Sequence, residues 1–185
     1  MGKLIYSAIS SVDGFIEDRS GNFDWGEPDR AVFEFINELD RSIRTYLFGR
    51  RMYEVMSSWE KTEDFAGEAD YIKEFAEMWK AAEKIVFSRT LDKVSTANTR
   101  LEKEFDAAAV AQVKASADGD LSVSGPELAA HAFRHGLVDE CHLFLVPVVV
   151  GGGKPSLPAD LELKLELMDQ RSFDSGVVHL RYRVV

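Results

Sequence analysis

Residues 121–133 read LSVSGPELAAHAF, and this stretch decides the fold class. Leu121 to Val123 has the length and composition of a short buried strand. Ser124, Gly125, Pro126 and Glu127 then make a turn, and the chain continues as a helix to about His135. Pro126 suits a first helical turn, Ser124 and Glu127 have capping-box spacing, and Gly125 permits a tight turn at the positive end of the helix.

The same strand, turn and helix sequence recurs upstream. Thr45 to Phe48 is a strand closed by Gly49 and followed by a helix over Arg50 to Ser57, where Met52, Val55 and Met56 repeat at helical spacing. A helix carrying Tyr71, Ile72, Phe75, Met78 and Trp79 on one face precedes the strand Lys84 to Phe87 and the polar turn Ser88, Arg89, Thr90. Asp106 to Lys114 is a further helical stretch. At the start, Leu4 to Ile9 is a buried strand leading into a long mobile loop that reaches Trp25. Val32, Phe35, Ile36, Leu39 and Ile43 then form one stripe, so the spacing predicts a helix over about 29–43 with Pro28 at its entry. Strands alternating with helices imply a parallel sheet. The tail differs: Cys141 to Val149 is continuously apolar, Leu161 to Leu167 alternates, and Val178, Leu180, Tyr182 and Val184 alternate again, which predicts an antiparallel edge hairpin. The expectation is one α/β domain over 1–185, with a mixed, mostly parallel sheet covered by helices on both faces and finished by an antiparallel carboxy-terminal hairpin.

Composition narrows the function. The 22 Lys and Arg against 32 Asp and Glu leave a net charge of −10, which repels nucleic-acid backbones and anionic membrane surfaces. Cys141 is the lone cysteine, so no internal disulfide forms, and a reducing cytoplasm is expected. The apolar run Leu143 to Val150 is broken by Pro147 and is too short to span a membrane, and Tyr6 spoils a myristoylation reading of Met1-Gly2.

Ligands of open α/β sheets sit beyond the carboxyl ends of the parallel strands. Three such ends here are rich in anion-binding groups. Gly49 lets backbone approach a ligand, with Arg50 and Arg51 supplying guanidinium forks. Ser88, Arg89 and Thr90 add two hydroxyls and another guanidinium, and the SGPE turn offers backbone N–H groups. Three arginines gathered in an acidic protein point to a dinucleotide with a 2′-phosphate, hence NADP over NAD.

These pieces resemble the dihydrofolate reductase-like superfamily, specifically the carboxy-terminal reductase domain of RibD in riboflavin biosynthesis. The matching segments are SAISSVDGFIEDRSGNFDW (7–25), GRRMYE (49–54), VFSRT (86–90), SVSGPELAAHAF (122–133) and VDECHLFLVPVVVGGGKP (138–155). The resemblance implies NADPH bound across Gly49, Arg50, Arg51 and Met52, across Ser88, Arg89 and Thr90, and across Ser124, Gly125, Pro126, Glu127 and Leu128. It places the nicotinamide near Ala8 and Gly14, under a closing loop from Asp13 to Trp25. Met52 stands where the family commonly has threonine. No deaminase zinc motif precedes the domain, so a stand-alone reductase of a pterin-, folate- or aminouracil-like substrate is expected.

Asp13, Glu27 and Asp29 are the candidate catalytic carboxylates. Trp25, Tyr53, Gly151 and Gly152 are the candidate substrate contacts. Asp13 before Gly14 equally suits a turn, and Asp29 a helix start. His131, His135, Cys141 and His142 lack the paired spacing of a metal centre, and Gly151 to Lys154 lacks Walker spacing. Two other readings stay open: a nucleotide-binding protein without turnover, and a structural dimer module. A homodimer suits all three.

Overall fold

The computed structural model describes all 185 residues, except for the side chain of Thr62. In chain order, β1 (Leu4–Ser11) is followed by β2 (Phe15–Asp18), a 3-10 turn at Asp24–Gly26, α1 (Arg30–Asp40), β3 (Ile43–Gly49) and α2 (Arg50–Met56). Two further 3-10 turns lead to α3 (Asp70–Ala81), β4 (Glu83–Phe87) and β5 (Thr99–Glu102). Next come α4 (Ala107–Ser116), β6 (Asp120–Ser124), α5 (Pro126–Arg134) and β7 (Glu140–Val146). The chain closes with β8 (Gly153–Pro155), β9 (Leu165–Ser172) and β10 (Val178–Val184).

Eight strands form the main sheet in the order β5-β4-β3-β6-β1-β7-β10-β9. The first six are parallel, and β10 pairs antiparallel with both β7 and β9, so the expected mixed sheet with a terminal hairpin is present. Alternation along the strands splits the core between two faces. Leu4, Tyr6, Leu47, Leu121, Val123 and Leu143 pack with Val110 of α4 and Leu128, Ala129, Ala132 and Phe133 of α5. Tyr46, Phe48 and Val86 face the other way onto Phe75 and Trp79 of α3, while Phe144 meets Val32 of α1. The helices therefore cover both faces. They leave the carboxyl ends of the parallel strands, with the turns that follow them, as the place where chemistry can be assembled.

Several local expectations are corrected. The predicted first helix ends at Asp40, and Ile43 opens β3; its place in the apolar stripe reflects a buried strand start, not a further helical turn. The 10–25 stretch is not simply a loop, because β2 pairs antiparallel with β8 as a separate two-stranded ribbon. Leu161 and Leu163 alternate because they pack on the α5 side of the core from an irregular segment, and β9 starts only at Leu165. β7 stops at Val146, since Pro147 cannot donate to a ladder. β5 is an edge strand with alternate residues exposed, and nothing in Thr99–Glu102 (TRLE) announces it. Among the described residues no helix is long and apolar enough to cross a membrane.

Candidate functional site

The sheet opens at one place. β1 pairs with β6 only at Leu4, Ile5 and Tyr6, whereas its pairing with β7 runs from Ile5 to Ser11. β6 ends at Ser124 and turns into α5 while β1 runs on, so a crevice lies between the distal part of β1 and the start of α5. This is where the strand order switches, because the chain runs from β1 outward to β3, β4 and β5 and only then returns to insert β6.

Glycine shapes the crevice rim. Gly125 takes φ +90°, a conformation that L side chains rarely adopt, and a Cβ built there would meet nothing nearer than the Met52 Cβ at 3.9 Å. A Cβ on Gly49 would meet nothing within 4 Å. Backbone at both strand ends is thus open to close approach by a ligand. The capping box does not form: Gly125 is the N-cap of α5, no side chain caps it, and Glu127 turns to Lys154 instead. The first N–H groups of α5 are therefore left without a side-chain acceptor, which suits an anion. These open, donor-rich glycine turns fit a dinucleotide.

The arginines stand at the ends of β3 and β4, each balanced by a carboxylate. Arg50 Nε lies 2.7 Å from Glu54 Oε1, and its Nη1 donates to Thr90 Oγ1 at 3.0 Å, joining the ends of β3 and β4. Arg89 pairs with Glu104 at 3.1 Å, and Arg51 with Glu17 at 2.9 Å. Ser88 is buried, and its hydroxyl accepts from the Thr90 and Leu91 N–H groups, so it shapes the turn more than it offers itself to a ligand. Leu128 is buried in the core, Pro126 is half-buried at the helix start, and Ala8 is buried on β1.

The candidate carboxylates are not assembled into an acid–base pair. Asp13 accepts from the Val150 and Gly151 N–H groups at 3.2 and 2.8 Å, and the Ser11 hydroxyl and these N–H groups hold its carboxyl below the usual range. It clamps the turn after β7 onto β1 and is not poised as a proton donor. Asp29 caps α1 by accepting from Val32 N–H at 3.0 Å, and hydrogen bonds from Ser175 and Val32 lower its pKa. Glu27 is exposed beside the 3-10 turn. Tyr53 is corrected as a substrate contact: it is buried, and its hydroxyl meets Ser95 N–H at 2.8 Å and Thr96 Oγ1 at 3.1 Å, fastening the segment between β4 and β5.

Trp25 is half-buried, with Nε1 donating to the Asn22 carbonyl at 3.2 Å, and its neighbour Gly26 packs on Ile9 of β1. Gly14 takes φ +89° and its carbonyl accepts from Ser156 N–H. Gly151 and Gly152 line up against β2: Arg19 Nη2 donates to the Gly151 carbonyl at 2.9 Å, and a Cβ on Gly152 would strike Arg19 Nε at 2.6 Å. The glycine tract therefore seats the β2 ribbon.

Two charged residues of this region escape a reading of the sequence. Glu17 and Lys154 sit opposite each other in the β2–β8 ribbon and flank a cleft of about 1080 Å³ whose walls include Arg51, Pro126, Glu127 and His131. Their signal was weak, because β2 has four half-buried residues and no clear alternation. Among the described residues no group of three His, Cys, Asp or Glu side chains could hold a metal ion.

The profile of the RibD C-terminal domain family matches residues 2–179. The chain belongs to that family. This RibD C-terminal domain is 31% identical over 189 residues to YyaP of Bacillus subtilis (strain 168), an uncharacterised protein, covering 97% of this chain and 94% of that one. Its fold superimposes on that of a Shewanella sp. PV-4 protein provisionally assigned to riboflavin biosynthesis, with a TM-score of 0.75, 19% identity and 99% of each chain covered. RibD of Acinetobacter baumannii superimposes with a TM-score of 0.73 and 15% identity over all of this chain and 58% of the longer one.

Proposed function

We propose that this RibD C-terminal domain is an NADPH-dependent reductase of a small, flat heteroaromatic substrate of the pterin or aminouracil kind. The observation that carries the reading is the crevice at the strand-order switch. Two open glycine turns and an uncapped helix start border its mouth, and three arginines crown the neighbouring strand ends. NADPH, when bound, supplies the hydride. The protein's part is to hold and shield. Gly49 and Gly125 admit phosphate oxygens close to backbone, and the first N–H groups of α5 complement their charge. Arg50, Arg89 and Thr90 form the cationic end that reads a 2′-phosphate, with surface pairs to Glu54 and Glu104 that a phosphate readily displaces. Ala8 leaves room for a planar ring on β1, and Trp25 excludes water. The assignment of the Shewanella protein to riboflavin biosynthesis favours an aminopyrimidine among such substrates. The buried thiol of Cys141 accords with a reducing cytoplasm.

Calorimetric titration with NADPH and NADH tests the cofactor, and adding dihydrofolate or an aminouracil to the complex while following reduced-nicotinamide absorbance tests the reaction. NADPH preference with oxidation is expected; binding of neither nucleotide sinks the reading. In the same titration Arg50→Ala or Arg89→Ala is expected to weaken NADPH by about 1–3 kcal/mol through loss of a charged phosphate contact, and to change NADH much less. Equal weakening of both removes the 2′-phosphate role. A nucleotide-binding protein without turnover is the second reading, favoured by the commitment of Asp13 and Asp29 to backbone hydrogen bonds. It predicts tight NADPH binding with no oxidation by any of these substrates.

A further inference from the structure

The cleft already holds an anion of the protein's own. Glu17 projects from β2 with its side chain only 12% exposed and takes the Arg51 guanidinium end-on, Oε2 at 2.9 Å from Nη2 and Oε1 at 3.2 Å from Nη1. From the opposite strand of the ribbon, Lys154 Nζ lies 3.8 Å from the same Oε1 and 2.9 Å from Glu127 Oε1 in the first turn of α5. The ribbon is thus tied down by two ion pairs, an acid reaching the start of α2 and a base reaching the start of α5. A guanidinium fork binds carboxylate and phosphate with the same geometry. The Arg51 pair also differs from its neighbours: Arg50 with Glu54 and Arg89 with Glu104 have both members at least 48% exposed, whereas Glu17 is largely withdrawn from solvent. Its attraction for Arg51 is correspondingly less screened.

We propose that Glu17 is an intramolecular competitor of a ligand pyrophosphate for Arg51 and Lys154. With no nucleotide bound, its carboxylate fills the cationic site and latches the β2–β8 ribbon over the start of α5. An entering pyrophosphate takes both cations, frees Glu17 and unlatches the ribbon, so nucleotide entry and ribbon movement are one event. This rests on the dinucleotide reading of the crevice and adds to it the residue that opposes binding.

Glu17→Gln keeps the side chain's size and the ribbon's backbone pairing and removes the charge. Wild type and variant are titrated calorimetrically with inorganic pyrophosphate and with NADPH, and hydrogen exchange of Phe15–Asp18 is followed without ligand. The expected result is pyrophosphate binding about fivefold tighter in the variant, with faster exchange in β2. Unchanged or weaker pyrophosphate binding by Glu17→Gln overturns the proposal. If pyrophosphate tightens while NADPH binds neither protein, the competition stands and only the dinucleotide reading falls. As a second variant, Lys154→Gln is expected to weaken pyrophosphate binding several-fold; no change there removes Lys154 from the site and overturns the two-cation arrangement.

Discussion

Glu140→Ala is expected to destabilise the protein by about 3–5 kcal/mol in denaturant unfolding, with little direct effect on the crevice. Glu140 is buried at the start of β7, away from the carboxyl ends of the strands. Arg181 of β10 donates to it twice, at 2.8 and 3.2 Å, and Lys3 ahead of β1 donates at 2.7 Å. His142 lies 3.3 Å from its second oxygen. Burial by itself would raise the carboxyl, but the hydrogen bonds from Arg181, Lys3 and His142 win and hold its pKa at about 2. Alanine leaves those donors facing a site with no acceptor, and a loss below about 1 kcal/mol would show that water replaces the carboxylate there.

The same cluster sets the acid limb of stability. His179, fully buried against Phe35 and Phe144, has its pKa pressed from 6.5 to about 4 by desolvation and by neighbouring His142. Its neutral form belongs to the fold, so below pH 6.5 the unfolded chain takes up a proton that the native chain refuses. Stability is expected to fall by about 3 kcal/mol as pH drops from 6.5 to 4. Glu140 acts with opposite protonation and the same outcome, contributing stability above its ordinary 4.5 that is lost as pH falls through about 2. Unfolding measured across this range in a His179→Asn variant should lose the upper part of the limb; an unchanged limb would assign it to other groups.

Gly125→Val is expected to weaken nucleotide binding at least ~tenfold in Kd, while costing about 1–3 kcal/mol of stability. At φ +90° a β-branched residue is strained, and relief of that strain moves the start of α5, whose N–H groups meet phosphate in the proposed function. Retained NADPH affinity in a folded Gly125→Val variant would place the phosphates elsewhere. Circular dichroism alongside the titration separates lost binding from lost fold.

The strand, glycine and helix repeats at 45–57 and 121–135, and the strand and polar turn at 84–90, were legible because each is local: period, length and turn chemistry lie within a few residues of one another. Of the terminal hairpin, β10 was legible for the same reason, whereas the alternation at Leu161–Leu167 reached only the start of β9. The ribbon was not, since β2 and β8 are separated by more than a hundred residues and their pairing depends on the bare backbones of Gly152 and Gly153 against Arg19 and Glu17. Asp13 and Asp29 were equally good as acids or as caps until their N–H donors were placed. Tyr53 looked available only because its partners, Ser95 and Thr96, lie forty residues away.

By itself the sequence determined the alternating α/β order, the acidic balance and the three anion-friendly strand ends, two of them bearing arginine, all of which follow from local periodicity and residue chemistry. The tertiary structure alone decided where β1 leaves β6 and which carboxylates are already engaged. It also decided that Glu17 and Lys154 meet across the β2–β8 ribbon, because those facts depend on strand register and long-range charge pairing, which no local window of sequence encodes.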